Sequence, residues 1–278
     1  MKIDGTTSVL VHLAYPSAHL QTPQLFNPRC AKRGLNAVLV PWQVAPEHLG
    51  SMMEALRGAE SVAGAIVTLP HKETCAALCD RLEGVASILS VANVIRREAD
   101  GTLVGRILDG EGFVGGLRRN GAEPAGASVL LIGAGGVALA IAAALIAAGV
   151  SRLAVLNRTR ARAEAMIQRL KQLAAETGQE LMLSVADAPD ATGHDLVVNA
   201  TSLGMHAGDA LPVDPDTLRP GMTVAEVVMS PAITPLLVQA AERGAATVPG
   251  REMILGQLDP FMDFVLEGRG ATQTHGKR

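Results

Sequence analysis

Aromatic residues are scarce in this chain of 278 residues, which contains one Trp, one Tyr and four Phe. They make up 2% of the sequence against 48% for all hydrophobic residues, so Ala, Val and Leu must fill the core. An excess of charge of either sign is also lacking, because the net charge is -3. This near-balance excludes an overall basic surface of the kind that binds nucleic acid, and any anion site must be local.

Cysteines and long apolar runs are few. The three cysteines, Cys30, Cys75 and Cys79, cannot all pair, so a reducing cytoplasm is the expected location. Cys75 and Cys79 lie four residues apart with no second pair nearby, and we expect buried thiols there and no metal site. The apolar run at residues 137–150 is too short to span a membrane, and residues 1–7 lack the features of a signal peptide. We therefore expect a cytoplasmic protein with neither a membrane nor a nucleic-acid partner.

Short apolar segments alternate with helical patterns along the chain. The patterns predict strands at residues 8–13, 37–41, 64–68, 129–132, 153–156, 195–199 and 223–228, and helices at 46–57, 138–148, 160–177 and 234–243. Strands that alternate with helices favour an α/β fold with parallel sheets. The length suits two domains, and the Pro/Gly-rich residues 121–126 precede the buried strands of the second.

A glycine-rich turn, Gly133-Ala134-Gly135-Gly136, joins one predicted buried strand directly to a helix. With Ala138 it fits the G-x-G-x-x-A form of the dinucleotide fingerprint, in which phosphates lie on N–H groups at the helix start. The pattern by itself is equally compatible with a plain strand-turn-helix connection, so the rest of the chain must decide.

The next predicted strand ends in Asn157-Arg158-Thr159, about twenty residues after the glycines, where an NAD-binding protein would usually carry Asp or Glu. Arg158 and Arg162 offer two guanidinium groups that can hold a 2′-phosphate, which favours NADP. Solvated arginines at a helix start are the alternative. The predicted cofactor contacts are Gly133, Ala134, Gly135, Gly136, Asn157, Arg158, Thr159 and Arg162.

Three polar residues of the N-terminal half lie within motifs whose order along the chain is informative. Lys72 ends GAIVTLPHK at a predicted strand end, Asn93 lies in VANV, and Asp109 lies in GRILDGEGF ahead of a helix. The order of motifs also includes YPSAHLQTPQLFN, GAGGVALAI, NRTRARA, NATSLGM, SPAITPLL and GREMILGQ. In this order, over nearly the whole chain, the motifs resemble those of the shikimate dehydrogenase family.

The resemblance implies an α/β substrate domain at residues 1–108 and 245–278, an NADP-binding Rossmann domain at residues 109–244, and an active site in the cleft between them. It implies an NADP-dependent oxidoreductase of aromatic amino acid biosynthesis, which transfers hydride reversibly between NADP(H) and shikimate or a close cyclic hydroxy acid such as quinate. A monomer or homodimer is expected.

The resemblance also implies the roles of individual residues. Hydride transfer requires a proton to move on the adjacent oxygen, and Lys72 is the implied proton carrier, with Asp109 as its partner. The implied substrate contacts are Thr22, Thr68, Asn93 and Gln257.

Several positions depart from the family pattern. Leu20 and Thr22 stand where the family loop offers two serines to the substrate carboxylate, and Ile66 replaces the Asn of the N-V-T motif. Losing a donor to a charged group costs about 1.5–3 kcal/mol. The other replacements are Ile107 and Leu108 for Asn-Thr, and Glu226, Met229 and Ser230 for Asp, Tyr and Asn.

These departures leave three alternatives to shikimate turnover. The substrate is a less polar or differently substituted ring, the chain is an NADP-binding sensor with weak or no turnover, or it is a related dehydrogenase of folate-like substrates. The P-H-K and L-D-G motifs argue against the last.

Overall fold

The computed structural model describes residues 2–18 and 20–267. The chain divides into two compact units, one formed by residues up to Leu108 together with the chain from Leu258 onward, and one formed by Asp109–Gln257. Residues 245–257 group with the second unit because the strand Ala246–Val248 belongs to its sheet. The sequence placed these residues in the substrate domain. The assignment of substrate to one unit and cofactor to the other stays a prediction.

The first unit is built around a mixed six-stranded sheet in the order β2-β1-β3-β5-β6-β4. Its strands are β1 (Ser8–Ala14), β2 (Ala37–Gln43), β3 (Val62–Val67), β4 (Arg81–Leu82), β5 (Val94–Arg97) and β6 (Leu103–Arg106). Its helices are α1 (Thr22–Lys32), α2 (Leu49–Gly58), α3 (Lys72–Leu78) and α4 (Val85–Leu89). The sequence predicts a parallel sheet here. That prediction is wrong in part, because β5 runs antiparallel to β3 and β6. A tight turn, in which the Glu98 N–H donates to the Thr102 carbonyl, joins β5 to β6, and only antiparallel neighbours accept so short a connection.

The second unit contains a fully parallel six-stranded sheet in the order β12-β11-β10-β7-β8-β9. Its strands are β7 (Ser128–Ile132), β8 (Arg152–Leu156), β9 (Met182–Val185), β10 (Leu196–Asn199), β11 (Thr223–Glu226) and β12 (Ala246–Val248). Its helices are α5 (Asp109–Arg119), α6 (Gly136–Ala147), α7 (Arg160–Thr177), α8 (Pro235–Glu242) and the first part of α9 (Arg251–Val265). From β7 the chain proceeds outward through β8 and β9 and returns to β10 on the other side. Ligands of open α/β sheets bind at such a switch point, outside the carboxyl ends of the strands.

Aliphatic packing holds both units together, as the low aromatic content requires. Val11, Ala65 and Ile95 belong to the core of the first sheet, while Leu130 and Val197 belong to that of the second. Helix α6 is apolar on nearly every side and is largely buried, which explains its alanine-rich sequence.

Several predicted boundaries shift. The predicted helix at 46–57 is a 3-10 turn, Pro46–His48, followed by α2, and the predicted strand at 223–228 ends at Glu226. The short strands β4, β5, β6, β9 and β12 were not predicted, because strands of two to four residues carry little periodicity. Within the described residues, no helix combines the length and apolarity needed to cross a membrane.

Candidate active site

The carboxyl ends of β1 and β3 meet at one edge of the first sheet, because the two strands are parallel and Leu13 lies opposite Val67. The N–H of Thr68 donates to the Leu13 carbonyl at 3.0 Å, and the N–H of Val67 donates to the Asn93 carbonyl at 2.8 Å. Thr68 and Asn93, which lie far apart in sequence, are thereby brought to the same edge.

Asn93 is held from several sides. It is buried, its N–H donates to the Arg106 carbonyl at 2.9 Å, and its Oδ1 accepts from the N–H of Leu108 at 2.8 Å. Because a backbone N–H can only donate, this last bond determines which end of the amide carries the oxygen. The amide nitrogen of Asn93 therefore lies on the side away from the Leu108 N–H.

Lys72 is the first residue of α3, which follows β3 after the short loop of residues 68–71, and it is half-buried. The N–H of Ala92 donates to its carbonyl at 3.1 Å, which ties the start of α3 to the segment that carries Asn93. The preceding residue, His71, is buried with its Nε2 2.8 Å from the Val44 carbonyl. His71 therefore secures the loop before Lys72.

The thiols on and after α3 are poor nucleophiles. Burial raises the pKa of Cys75 to about 12 and that of Cys79 to about 12. A thiol with so high a pKa carries almost no thiolate near neutral pH. Among the described residues, no group of three or more His, Cys, Asp or Glu side chains could hold a metal ion.

The expected substrate loop precedes α1. The N–H of Ser17 donates to Gln43 Oε1 at 3.0 Å, which anchors the loop to the end of β2. Thr22 is buried at the start of α1 and Leu20 is half-buried, while Ile66 is buried within β3.

The glycines of the turn in the second unit differ in their surroundings, because Gly133 is enclosed by the fold and Gly135 and Gly136 are exposed. Gly133 has φ of +115°, and a Cβ there would lie 2.9 Å from the Ala200 carbonyl oxygen, so the turn itself requires glycine. Gly135 and Gly136 are exposed, and a Cβ on either would meet nothing within 4 Å. No side chain of the described residues caps α6, whose first N–H groups are thus available to an anion. The fold needs no glycine at 135 or 136, whereas a phosphate approaching the backbone does.

The arginines after β8 are not equivalent. Arg160 pairs with Glu164 at 3.0 Å and with Asp187. Arg158 and Arg162 are exposed, and neither forms an ion pair within the described part of the chain. Asn157 donates from Nδ2 to the Thr159 carbonyl at 2.9 Å and shapes the loop that carries Arg158. Two uncommitted guanidinium groups are what a 2′-phosphate site requires.

Asp109 is the first residue of α5, where the helix dipole favours a carboxylate. Its side chain is 4% exposed, and its Oδ1 accepts a hydrogen bond of 3.1 Å from Nε2 of Gln257, which is 5% exposed. Asp109 and Gln257 are far apart in sequence and are brought together in this unit. Lys72 belongs to the other unit, so its pairing with Asp109 stays a prediction.

A buried polar pair at the end of β11 was not anticipated. Thr234, the N-cap of α8, donates from Oγ1 to Glu226 Oε2 at 3.0 Å, and Glu226 Oε1 has no hydrogen-bond partner among the described residues. Burial raises the pKa of Glu226, and the Thr234 hydroxyl offsets only part of that effect. The Thr-Pro start of α8 is the sequence signal that could have identified this cap.

Comparison with known proteins matches both units to one family. Residues 13–95 match the family described as the shikimate dehydrogenase substrate binding domain, and residues 118–203 match that of shikimate / quinate 5-dehydrogenase. The shikimate dehydrogenase (NADP(+)) of Rubrobacter xylanophilus is 44% identical over 92% of this chain and 89% of its own length. This chain belongs to the shikimate dehydrogenase family.

Solved structures agree with this membership. A shikimate dehydrogenase in complex with NADP+ superposes with a TM-score of 0.85 at 27% identity, covering 95% of this chain and 91% of that one. The ligand-free 5-ketofructose reductase of Gluconobacter sp. strain CHM43 gives a TM-score of 0.85 at 26% identity, covering 95% and 94%. The predicted family and α/β fold class are confirmed, whereas the roles of individual residues stay predictions.

Proposed function

We propose that this shikimate dehydrogenase family member interconverts shikimate and 3-dehydroshikimate by reversible hydride transfer with NADP(H). The observation that carries the proposal is the burial of polar side chains that match the family motifs, namely Asn93, Asp109 and Gln257. Buried polar groups reduce stability unless they are hydrogen-bonded, and these side chains have directed bonds. Buried polar groups at positions of the family motifs favour a binding role.

The predicted enzyme class and cofactor are confirmed at the level of the family, as an NADP-dependent oxidoreductase acting on a CH–OH group. This chain's own residues fit the cofactor. The open backbone at Gly135 and Gly136 would hold the pyrophosphate, and Arg158 and Arg162 would hold the 2′-phosphate. When bound, the cofactor accepts or supplies the hydride.

The protein side of the reaction is proton transfer and orientation. When the substrate alcohol becomes a ketone, its carbon loses a hydride and its oxygen loses a proton. Lys72 would take that proton and return it in the reverse direction. Asp109 would accept hydrogen bonds from substrate hydroxyls, and Asn93 would donate to them. Thr22, Thr68 and Gln257 would complete the polar contacts.

A second candidate substrate follows from the departures at the carboxylate loop. Leu20 cannot donate a hydrogen bond, and Met229 stands where the family carries Tyr. The similar 5-ketofructose reductase is named for a neutral ketose. A polyhydroxy ketone without a carboxylate is therefore the alternative to 3-dehydroshikimate. Nothing in the comparisons supports the sensor alternative.

The assay follows NADPH formation from shikimate and quinate with NADP or NAD, and NADPH consumption with 5-ketofructose. We expect turnover with shikimate and NADP. Lys72→Ala and Asp109→Ala should each lower kcat by about 100-fold or more, the usual contribution of a positioned acid or base. Lys32→Ala, on exposed α1 surface, is the matched control and should retain the wild-type rate. Turnover of 5-ketofructose alone would replace the substrate assignment, and full activity of both active-site variants would refute the catalytic roles.

Cytoplasmic location and a monomeric or homodimeric state are part of the proposal. Size-exclusion chromatography with light scattering measures the latter directly, and a larger assembly would contradict it.

A further inference from the structure

We propose that Gln257 is a positioning residue for Asp109, and that a glycine-lined crossing of α5 and α9 allows the Gln257 side chain to reach Asp109. The inference rests on the proposed function for its kinetic test only. It goes beyond the substrate contact implied by family resemblance, because it concerns what Gln257 does to the protein's own carboxylate.

The first argument is the direction of the hydrogen bond. A carboxylate only accepts, so the amide must turn its nitrogen to Asp109, and Nε2 lies 3.1 Å from Oδ1. Both side chains are almost completely buried. Inside a protein a carboxylate keeps one orientation when a fixed donor holds one of its oxygens. Gln257 thereby holds Oδ1 in place and favours one rotamer of Asp109.

The second argument is the closeness of the helices. A Cβ on Gly112 would overlap Cγ of Gln257 and lie 2.7 Å from the Met253 carbonyl oxygen. A Cβ on Gly256 would overlap the Gly112 carbonyl, and one on Gly116 would lie 2.9 Å from the Glu252 carbonyl. The two backbones thus touch along Gly112, Gly116 and Gly256. Without this approach the Gln257 side chain could not pass over α5 to reach Asp109.

The third argument is that the crossing is fastened beyond the glycines. Glu252 accepts from Arg119 at 3.1 Å and from Asn120 Nδ2 at 3.2 Å. These contacts lie at the far end of α5, about two to three turns from Asp109. They keep α9 in register, so that the Gln257 amide meets the first residue of α5.

The kinetic test uses Gln257→Met, which keeps length and volume but removes the donor, and Gln257→Glu, which places a second carboxyl against Asp109. We expect kcat to fall by about 10- to 100-fold in Gln257→Met, the loss of one hydrogen bond to a charged group, with a smaller change in KM. Gln257→Glu should fall at least as far, because two adjacent carboxylates cannot both ionise. A residue that only accepts from a substrate hydroxyl would tolerate Glu and show its effect in KM. That pattern would overturn the inference.

Two glycine variants test whether the close helix crossing allows Gln257 to reach Asp109. Gly112→Ala should lower kcat like Gln257→Met, because its Cβ displaces the Gln257 side chain. Gly115→Ala is the matched control, because its Cβ would meet Gly256 only at 3.6 Å, and it should retain the wild-type rate. Unchanged kcat in a folded Gly112→Ala would show that the close helix crossing is not needed for Gln257 to act on Asp109. If Gly112→Ala does not fold, the Gln257 variants decide.

A substrate-free measurement separates this inference from the substrate assignment. The side-chain amide signals of Gln257, assigned by their loss in Gln257→Met, should show one proton protected from solvent exchange. In Asp109→Leu that proton should exchange about tenfold faster or more, since its acceptor is gone. Equal exchange in both proteins would refute the pairing. Wild-type protein without shikimate turnover would refute only the proposed substrate.

Discussion

Gly133 and Gly135 of the glycine-rich turn should respond to alanine in opposite ways. Gly133 adopts φ of +115°, and its new methyl group would lie 2.9 Å from the Ala200 carbonyl oxygen. A non-glycine residue in such a region costs about 1–3 kcal/mol. For a protein of this size each kcal/mol lowers Tm by roughly 2–4 °C, so Gly133→Ala should melt about 2–12 °C lower.

Gly135→Ala should leave folding unchanged and weaken cofactor binding. Gly135 has φ of -91°, which any residue adopts, and its Cβ would meet nothing within 4 Å. The methyl group would instead occupy the space through which a pyrophosphate approaches the helix start. We expect a Tm within about 1 °C of wild type and an NADPH Kd raised by about tenfold or more, as lost phosphate hydrogen bonds require.

Thermal unfolding by circular dichroism and titration of NADPH fluorescence measure the two effects independently. Gly135→Ala with wild-type affinity would show that the turn is only a connection between strand and helix. A fall in its Tm as large as that of Gly133→Ala would show that the space around Gly135 is needed by the fold.

Three further predictions concern separate features. Arg158→Ala and Arg162→Ala should each raise the KM for NADP by about 10- to 100-fold and leave that for NAD unchanged. The Arg160 guanidinium already pairs with Glu164 and Asp187, so Arg160→Ala should change the KM for NADP far less. Equal effects of all three variants would contradict the 2′-phosphate assignment. Because the folded pKa of Glu226 is raised above its ordinary value of 4.5, its contribution to stability is present below that pH and is lost as the pH rises through the folded pKa. Glu226→Gln should therefore melt higher than wild type at pH 8 with the gap closing towards pH 5, and a constant gap in Tm would refute a titrating Glu226. Leu20→Ser combined with Ile66→Asn should lower the KM for shikimate by about tenfold or more, since each change restores a donor, and no gain would show that these positions do not set substrate choice.

The strongly patterned parts of the chain were predictable because their signals are local. Helix α7 begins and ends where its periodicity does, and β7 with the following glycines reads directly as a buried strand and a turn. The hairpin of β5 and β6 escaped prediction because a four-residue strand does not indicate which neighbour it pairs with or in which direction. The same holds for the short edge strands β9 and β12.

The residues of the candidate site were likewise proposed from residue types in order, and their roles stay predictions. The motifs named Lys72, Asn93, Asp109 and Gln257, and the arginines after β8 pointed to NADP. Their bonding was not readable. Asn93 bonds to Leu108, and Gln257 bonds to Asp109, only because folding brings these groups within about 3 Å of one another. Folding also decides that Arg160 is ion-paired, in contrast to Arg158 and Arg162.

The order of residues thus carried the α/β class, the glycine-rich turn and the family, because periodicity, glycine spacing and motif order are properties of a linear chain. Tertiary structure alone decided which glycines serve the fold and which remain open to a ligand. It also decided that Glu226 lies buried, with one oxygen that accepts no hydrogen bond from the part of the chain that the structure describes. The physical reason is that close approach, burial and hydrogen-bond direction are set by atoms from distant segments, and no local pattern records them.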